Sequence, residues 1–156
     1  MLTRLTGACF LAGLLLLVSC KEKPARWEEL NLRRIVLPDG FEIRAEVVTH
    51  PEDMMRGMMF RTSLPEGRGM LFIHGEPGKY PYWMYQVRIP LDILWLDPDG
   101  RIVEISANTP PCLTRASECP TYGGNYDALM VLELPAGTVQ KHGLQVGQRL
   151  QVWGTR

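Results

Sequence analysis

Between residues 32 and 152 the apolar side chains recur mostly at every second position, the period of a β-strand that buries one face and wets the other. Phe41, Ile43, Ala45 and Val47 alternate with Glu42, Arg44 and Glu46. The Pro38-Asp39-Gly40 that precedes them is a turn with a mechanism: proline fixes φ, glycine accepts positive φ, and residues 32–37 are thereby joined to the next strand as a hairpin. Pro98-Asp99-Gly100 links residues 91–96 to residues 101–106 in the same way. Residues 70–73, 82–85, 128–134 and 149–153 complete a set of seven to eight short strands. Two helical turns are expected. One follows Thr49 and His50, with Pro51 in the first turn, Glu52 and Asp53 at its positive end and Gly57 to close it; the other spans residues 138–142 and stops at Gly143. Many short strands with glycine and proline turns argue an all-β domain, a compact sandwich or barrel.

The first twenty residues do not share this pattern. Arg4 and an apolar run from residue 8 to residue 18 form a stretch of about ten residues, where a membrane span needs roughly twenty, and fit the core of a cleaved export signal. Leu17-Val18-Ser19-Cys20 resembles the lipobox of bacterial lipoproteins, which implies a Cys20 lipidated at sulfur as the mature N-terminus. Lys21, with no Asp after the cysteine, resembles lipoproteins sent to the outer membrane, where the domain would face the periplasm if the host has two membranes. The alternatives are an ordinary secretory signal with an incidental cysteine, or an uncleaved anchor. The expected organisation is a signal peptide over residues 1–19, a lipid-anchored tether over residues 20–31, charged and interrupted by Pro24, and a single β domain over residues 32–156.

Removing the signal leaves roughly 136 residues, enough for one domain with a real core and too few for two. Seventeen Lys and Arg balance seventeen Asp and Glu without forming a stripe, so the electrostatic footprint of a nucleic-acid partner is missing. With Cys9 lost with the signal and Cys20 taken by lipid, Cys112 and Cys119 remain as an even pair in an oxidising compartment and are expected to form a disulfide across a turn-rich loop. Six residues separate them, which suits neither a redox Cys-x-x-Cys nor a zinc site, and no cofactor is implied. The domain is expected to be a monomer held at a membrane through the lipid on Cys20.

Arg56-Gly57-Met58-Met59-Phe60-Arg61, Gly69-Met70-Leu71-Phe72, Tyr82-Trp83-Met84, Ile89-Pro90-Leu91-Asp92-Ile93 and Val131-Leu132-Glu133-Leu134-Pro135-Ala136-Gly137 together resemble the uncharacterised family called domain of unknown function 192. The resemblance implies a mainly β fold of jelly-roll type and no particular activity. After Trp-Met the family usually carries a basic residue, Asn and Thr; this chain has Tyr85, Gln86 and Val87, so any role of that amide falls to Gln86.

Three groups of residues could carry chemistry. Asp92 and Glu133 stand inside apolar strands, where an unpaired charge is expensive, and Arg56 and Arg61 could supply planar bidentate donors to them. Such a cluster is a structural ion network, or a site for an anionic or sugar ligand, or a carboxylate pair for glycoside hydrolysis. Met54, Met55, Met58, Met59, Met70 and Met84 fall at spacings that suit core packing of a helix on a sheet, with soft Cu(I) ligation as the alternative. Tyr80, Tyr82, Trp83, Tyr85 and Trp95 gather rings around one strand, where Tyr82 and Met84 share one face and Trp83 and Tyr85 the other; one set faces outward or into a cleft suited to carbohydrate or peptide. No Gly-x-Ser-x-Gly is present, and the three histidines have no motif context: His50 is expected as a cap-region or surface residue at a helix entry, and His74 and His142, each before a glycine, are expected to be solvated. The reading is an exported, lipid-anchored binding or accessory domain for a small molecule, carbohydrate or peptide, with a small carboxylate-dependent hydrolase acting on envelope carbohydrate as the alternative.

Overall fold

The computed structural model describes residues 31–153; the expected export signal, Cys20 and expected tether up to residue 30, and residues 154–156 of the expected β domain, lie outside the described residues. Among the described residues nine strands, two short α-helices and a 3-10 turn (Ala116–Glu118) occur, the strands and α-helices in the order β1 (Leu32–Val36), β2 (Glu42–Val48), α1 (Pro51–Arg56), β3 (Arg68–Gly78), β4 (Tyr82–Trp83), β5 (Leu91–Leu96), β6 (Ile102–Thr109), β7 (Thr121–Tyr122), β8 (Ala128–Pro135), α2 (Thr138–Lys141) and β9 (Gln151–Val152). Seven of the strands form one sheet in the order β6-β5-β8-β3-β2-β1-β9, and β4 pairs with β7 in a small second sheet. The fold is all-β. Its main sheet curls so that its edges meet: Arg101 bridges to Arg149, and the Ile102 N–H reaches the Gln148 carbonyl at 2.8 Å.

Both Pro-Asp-Gly turns make hairpins, β1 with β2 and β5 with β6, antiparallel in each case. In contrast β2 and β3 run parallel, which a tight turn cannot achieve. The connection therefore leaves the sheet, forms α1 and returns, and this lays the helix and the segment through Arg61 over one face. Gly57 ends α1 at φ 42, close enough to Phe72 that a Cβ there would lie 3.2 Å from the ring. Residues 70–73 lengthen into the eleven-residue β3, whereas residues 82–85 shorten to β4, because the backbone turns at Gln86 with φ 57.

The curled sheet buries both faces. Ile35, Ile43, Leu71, Leu94, Leu132 and Leu150 fill the inside, and Phe72, Ile93, Trp95 and Val131 on the outside are covered by Met58, Met84 and Val87. All six residues of β5 are buried, the signature of a strand at the centre of two cores. Each large apolar side chain so removed from water contributes about 1.5–3 kcal/mol before entropy is counted. A disulfide joins Cys112 to Cys119. Its loop is tied to the outer layer by the Cys112 N–H to the Met84 carbonyl at 3.1 Å and the Gln86 N–H to the Cys112 carbonyl at 2.9 Å.

Candidate functional site

Strand register decides which polar residues meet. Glu46 of β2 pairs with Met70 of β3, Met70 with Glu133 of β8, and Glu133 with Ile93 of β5, so these four side chains form one row on the outer face of the sheet. α1 and the chain behind it close over that row. Glu133 is left 4% exposed, and its Oε2 has no hydrogen-bond partner. Burial pushes its carboxyl up to about 8, against the pull of Arg61 toward the charged form, so at neutral pH the group carries a proton. Arg61 grips Glu46 instead, with two parallel N–H···O bonds of 2.7 and 2.6 Å. Those bonds hold the Glu46 carboxyl below its usual range.

Glu133 lines a narrow cleft of about 30 Å³ together with Met54, Met55, Met58 and Met59, with Phe72, Tyr82, Trp83 and Tyr85, and with the exposed Arg56. Trp83 and Tyr85 pack as a pair with ring centroids 5.1 Å apart. Met84 is fully buried, but Tyr82, expected to share its face, lines the cleft with Trp83 and Tyr85, because the strand ends at Trp83 and the alternation with it. Of the methionines, Met58 and Met70 belong to the outer core while Met55 stands 62% exposed. Beside Met59, Phe60 is also exposed, has a φ of 66, and donates its N–H to the Gln86 carbonyl at 2.8 Å. Two non-glycine residues in the left-handed region, bonded to each other, hold the cleft's covering segment to its aromatic wall.

The expected four-residue cluster does not assemble. Asp92 follows Leu91 on the opposite, inner face, and it is wholly buried without an arginine. Its two oxygens accept the N–H groups of Asn108 and of Val139, both at 2.7 Å. It thereby fixes the end of β6 and the start of α2 to β5, and backbone amides satisfy it in place of a guanidinium. Gln86 contributes its backbone to the architecture, and its left-handed φ suits Asn, the residue the family resemblance places there.

Two histidines expected to be solvated are packed. His142 is 7% exposed at its side chain, its Nδ1 2.7 Å from Asp39 and its ring 4.3 Å from that of Phe41. His74 stacks on Tyr80 at 3.5 Å, and its Nε2 lies 3.3 Å from the Tyr82 hydroxyl; burial lowers its pKa. Sequence reasoning passed over Glu46, because alternation places it on a face that looks solvated until α1 covers it. Among the described residues no group of three or more His, Cys, Asp or Glu is placed to hold a metal ion, and no helix is long and apolar enough to cross a membrane.

Residues 34–152 match the model of a family described as an uncharacterized ACR, the domain of unknown function 192. The chain belongs to that family. Two solved structures share its fold. One, a protein of Sinorhizobium meliloti 1021 named as a candidate transcription regulator, is 30% identical with a TM-score of 0.69, over 78% of this chain and 92% of that one. The other, a protein of unknown function from Novosphingobium aromaticivorans DSM 12444, is 27% identical with a TM-score of 0.68, over 77% of this chain and 83% of that one. No curated protein matches the chain.

Proposed function

We propose that this family member is a lipid-anchored envelope domain that binds a small ligand, without turnover, in the cleft that Glu133 lines. The observation that carries the reading is the 4% exposed Glu133, whose Oε2 has no hydrogen-bond partner, among the thioethers and rings that line the cleft. A buried acceptor with no partner costs about 1–3 kcal/mol, and a fold retains that cost where something other than the fold uses the group. The hydrolase reading has one observation in its favour, the raised pKa of Glu133, which suits a general acid. Its second carboxylate is the difficulty. Glu46 sits two strands away, roughly 10 Å by strand spacing, and is engaged by Arg61; Asp92 is on the other face. Glycosidase pairs stand about 5–9.5 Å apart and need the second group available. A nucleic-acid role, as the name of the Sinorhizobium protein would suggest, finds no support in a chain whose net charge is zero.

The anchor rests on Leu17-Val18-Ser19-Cys20. Metabolic labelling with a fatty-acid analogue tests it: label is expected on the native protein and absent from Cys20→Ala, and label persisting in the variant would remove the lipid from the account. The binding site is tested on the detergent-purified protein by following methionine methyl resonances while small alcohols, sugars, amines and carboxylates are added. Saturable shifts confined to Met54, Met58 and Met59 are expected from at least one class; a protein that responds to none of them loses its proposed site.

A further inference from the structure

The cleft's shape and its one orphaned atom narrow the class of ligand, on the premise that the cleft is the binding site. We infer that it receives a primary ammonium group, the end of an alkylamine or of a lysine-like side chain, which donates to Glu133 Oε2 while its alkyl stem lies between the methionines and the rings. Four observations converge on that class. Once its proton has left, the Glu133 carboxylate offers acceptors only, so the partner that its vacant Oε2 then takes is a donor. A space of about 30 Å³ holds one group the size of a water molecule, which suits an ammonium head and excludes a quaternary ammonium or a sugar ring; the stem enters only where the flexible methionine side chains yield to it. The lining residues include Phe72, Tyr82, Trp83 and Tyr85 with Met54 and Met58, aromatic rings and polarisable sulfur that suit a cation and an apolar stem together, and one cation, Arg56, that opposes it. A divalent cation needs about six oxygen ligands, and no group of three or more His, Cys, Asp or Glu is placed to hold one among the described residues.

The charged groups around the site set the pH dependence. Glu133 meets Arg61 from the segment after α1, with Glu46 of β2 neutralising that guanidinium, the hydroxyl of Tyr82 from β4 and, among the cleft residues on α1, Arg56. An ammonium ligand pairs with the carboxylate form, so it must displace the proton that Glu133 holds at neutral pH. Its affinity therefore rises roughly tenfold per pH unit up to about 8 and levels off until the amine itself loses its charge. A neutral alcohol of the same shape shows no such rise.

The test titrates n-butylamine, n-butanol and acetate into the detergent-purified protein at pH 6, 7 and 8.5, reading the methyl shifts of Met54 and Met58. Butylamine is expected to bind with a dissociation constant near the millimolar range at pH 8.5, at least tenfold tighter than butanol, and to weaken by tenfold or more on going to pH 6. Glu133→Gln, which keeps the shape and removes the charge, should abolish the difference between amine and alcohol. Should that variant fail to fold, the amine–alcohol ratio and its pH dependence in the native protein decide alone. Equal binding of butylamine and butanol, amine binding that ignores pH, or shifts produced by acetate alone would overturn the ammonium assignment while leaving the cleft as a binding site. Silence toward all three probes overturns the ammonium assignment too.

Discussion

Asp92 and Glu133 show how far single residues could be read from the chain. Both were visible as carboxylates inside apolar strands, and both are buried, at 0% and 4% exposure. What the sequence could not convey was the face each one takes relative to the helices, because a period of two says that neighbours diverge without saying which side α1 will cover. Asp92 turned inward and found two backbone N–H groups; Glu133 turned outward, was covered, and left its Oε2 without a hydrogen-bond partner. The consequence for Asp92 is specific. Asparagine in its place would keep one acceptor and set an amide NH₂ against the second backbone N–H, so Asp92→Asn should cost about 2–3 kcal/mol. Urea unfolding checks it, with a lowered midpoint at unchanged slope as the expected outcome.

At the scale of elements, turns were the most legible feature, since Pro-Asp-Gly carries its own geometry and both copies made the hairpins they predict. The parallel pairing of β2 with β3 was not legible: nothing local distinguishes a strand that will pair antiparallel from one that will not. That pairing is nonetheless what lays α1 over the sheet and creates the cleft. The disulfide loop acts on the same region. Through the Cys112 carbonyl it holds the Gln86 N–H, and through the Gln86 carbonyl that segment holds Phe60. Replacing Cys112 and Cys119 with serine should cost about 2.5 kcal/mol in the chain-entropy model for so short a loop. Hydrogen exchange should quicken first at the Gln86 and Phe60 amides, ahead of the central strands. Uniform quickening across the sheet would mean that the staple acts only through the unfolded chain.

For the molecule as a whole, the all-β class was legible because strand periodicity and turn spacing agree along the chain; the closure of one curled sheet, in place of two stacked sheets, depends on edge contacts such as Arg101 with Arg149 that no local pattern records. Two carboxyls then shape stability against pH in opposite directions. Glu46, held low by Arg61, contributes stability that is present above its unfolded pKa and is lost as pH falls through its folded pKa. Glu133, raised from 4.5 to about 8, keeps its proton in the folded state where the unfolded chain has released it, so stability falls as pH rises from about 4.5 to about 8 and is level above that. The loss is on the order of 4–5 kcal/mol at about 1.4 kcal/mol per unit. Glu133→Gln should abolish this decline and be the more stable protein at pH 9. The most direct measurement is the carboxyl carbon resonance of Glu133 followed by NMR from pH 4 to pH 10. A midpoint near 8, moving down when butylamine is added, is the result this account predicts; titration in the ordinary carboxylate range, near 4.5, would mean that Glu133 has a partner and that the cleft has no proton-bearing floor.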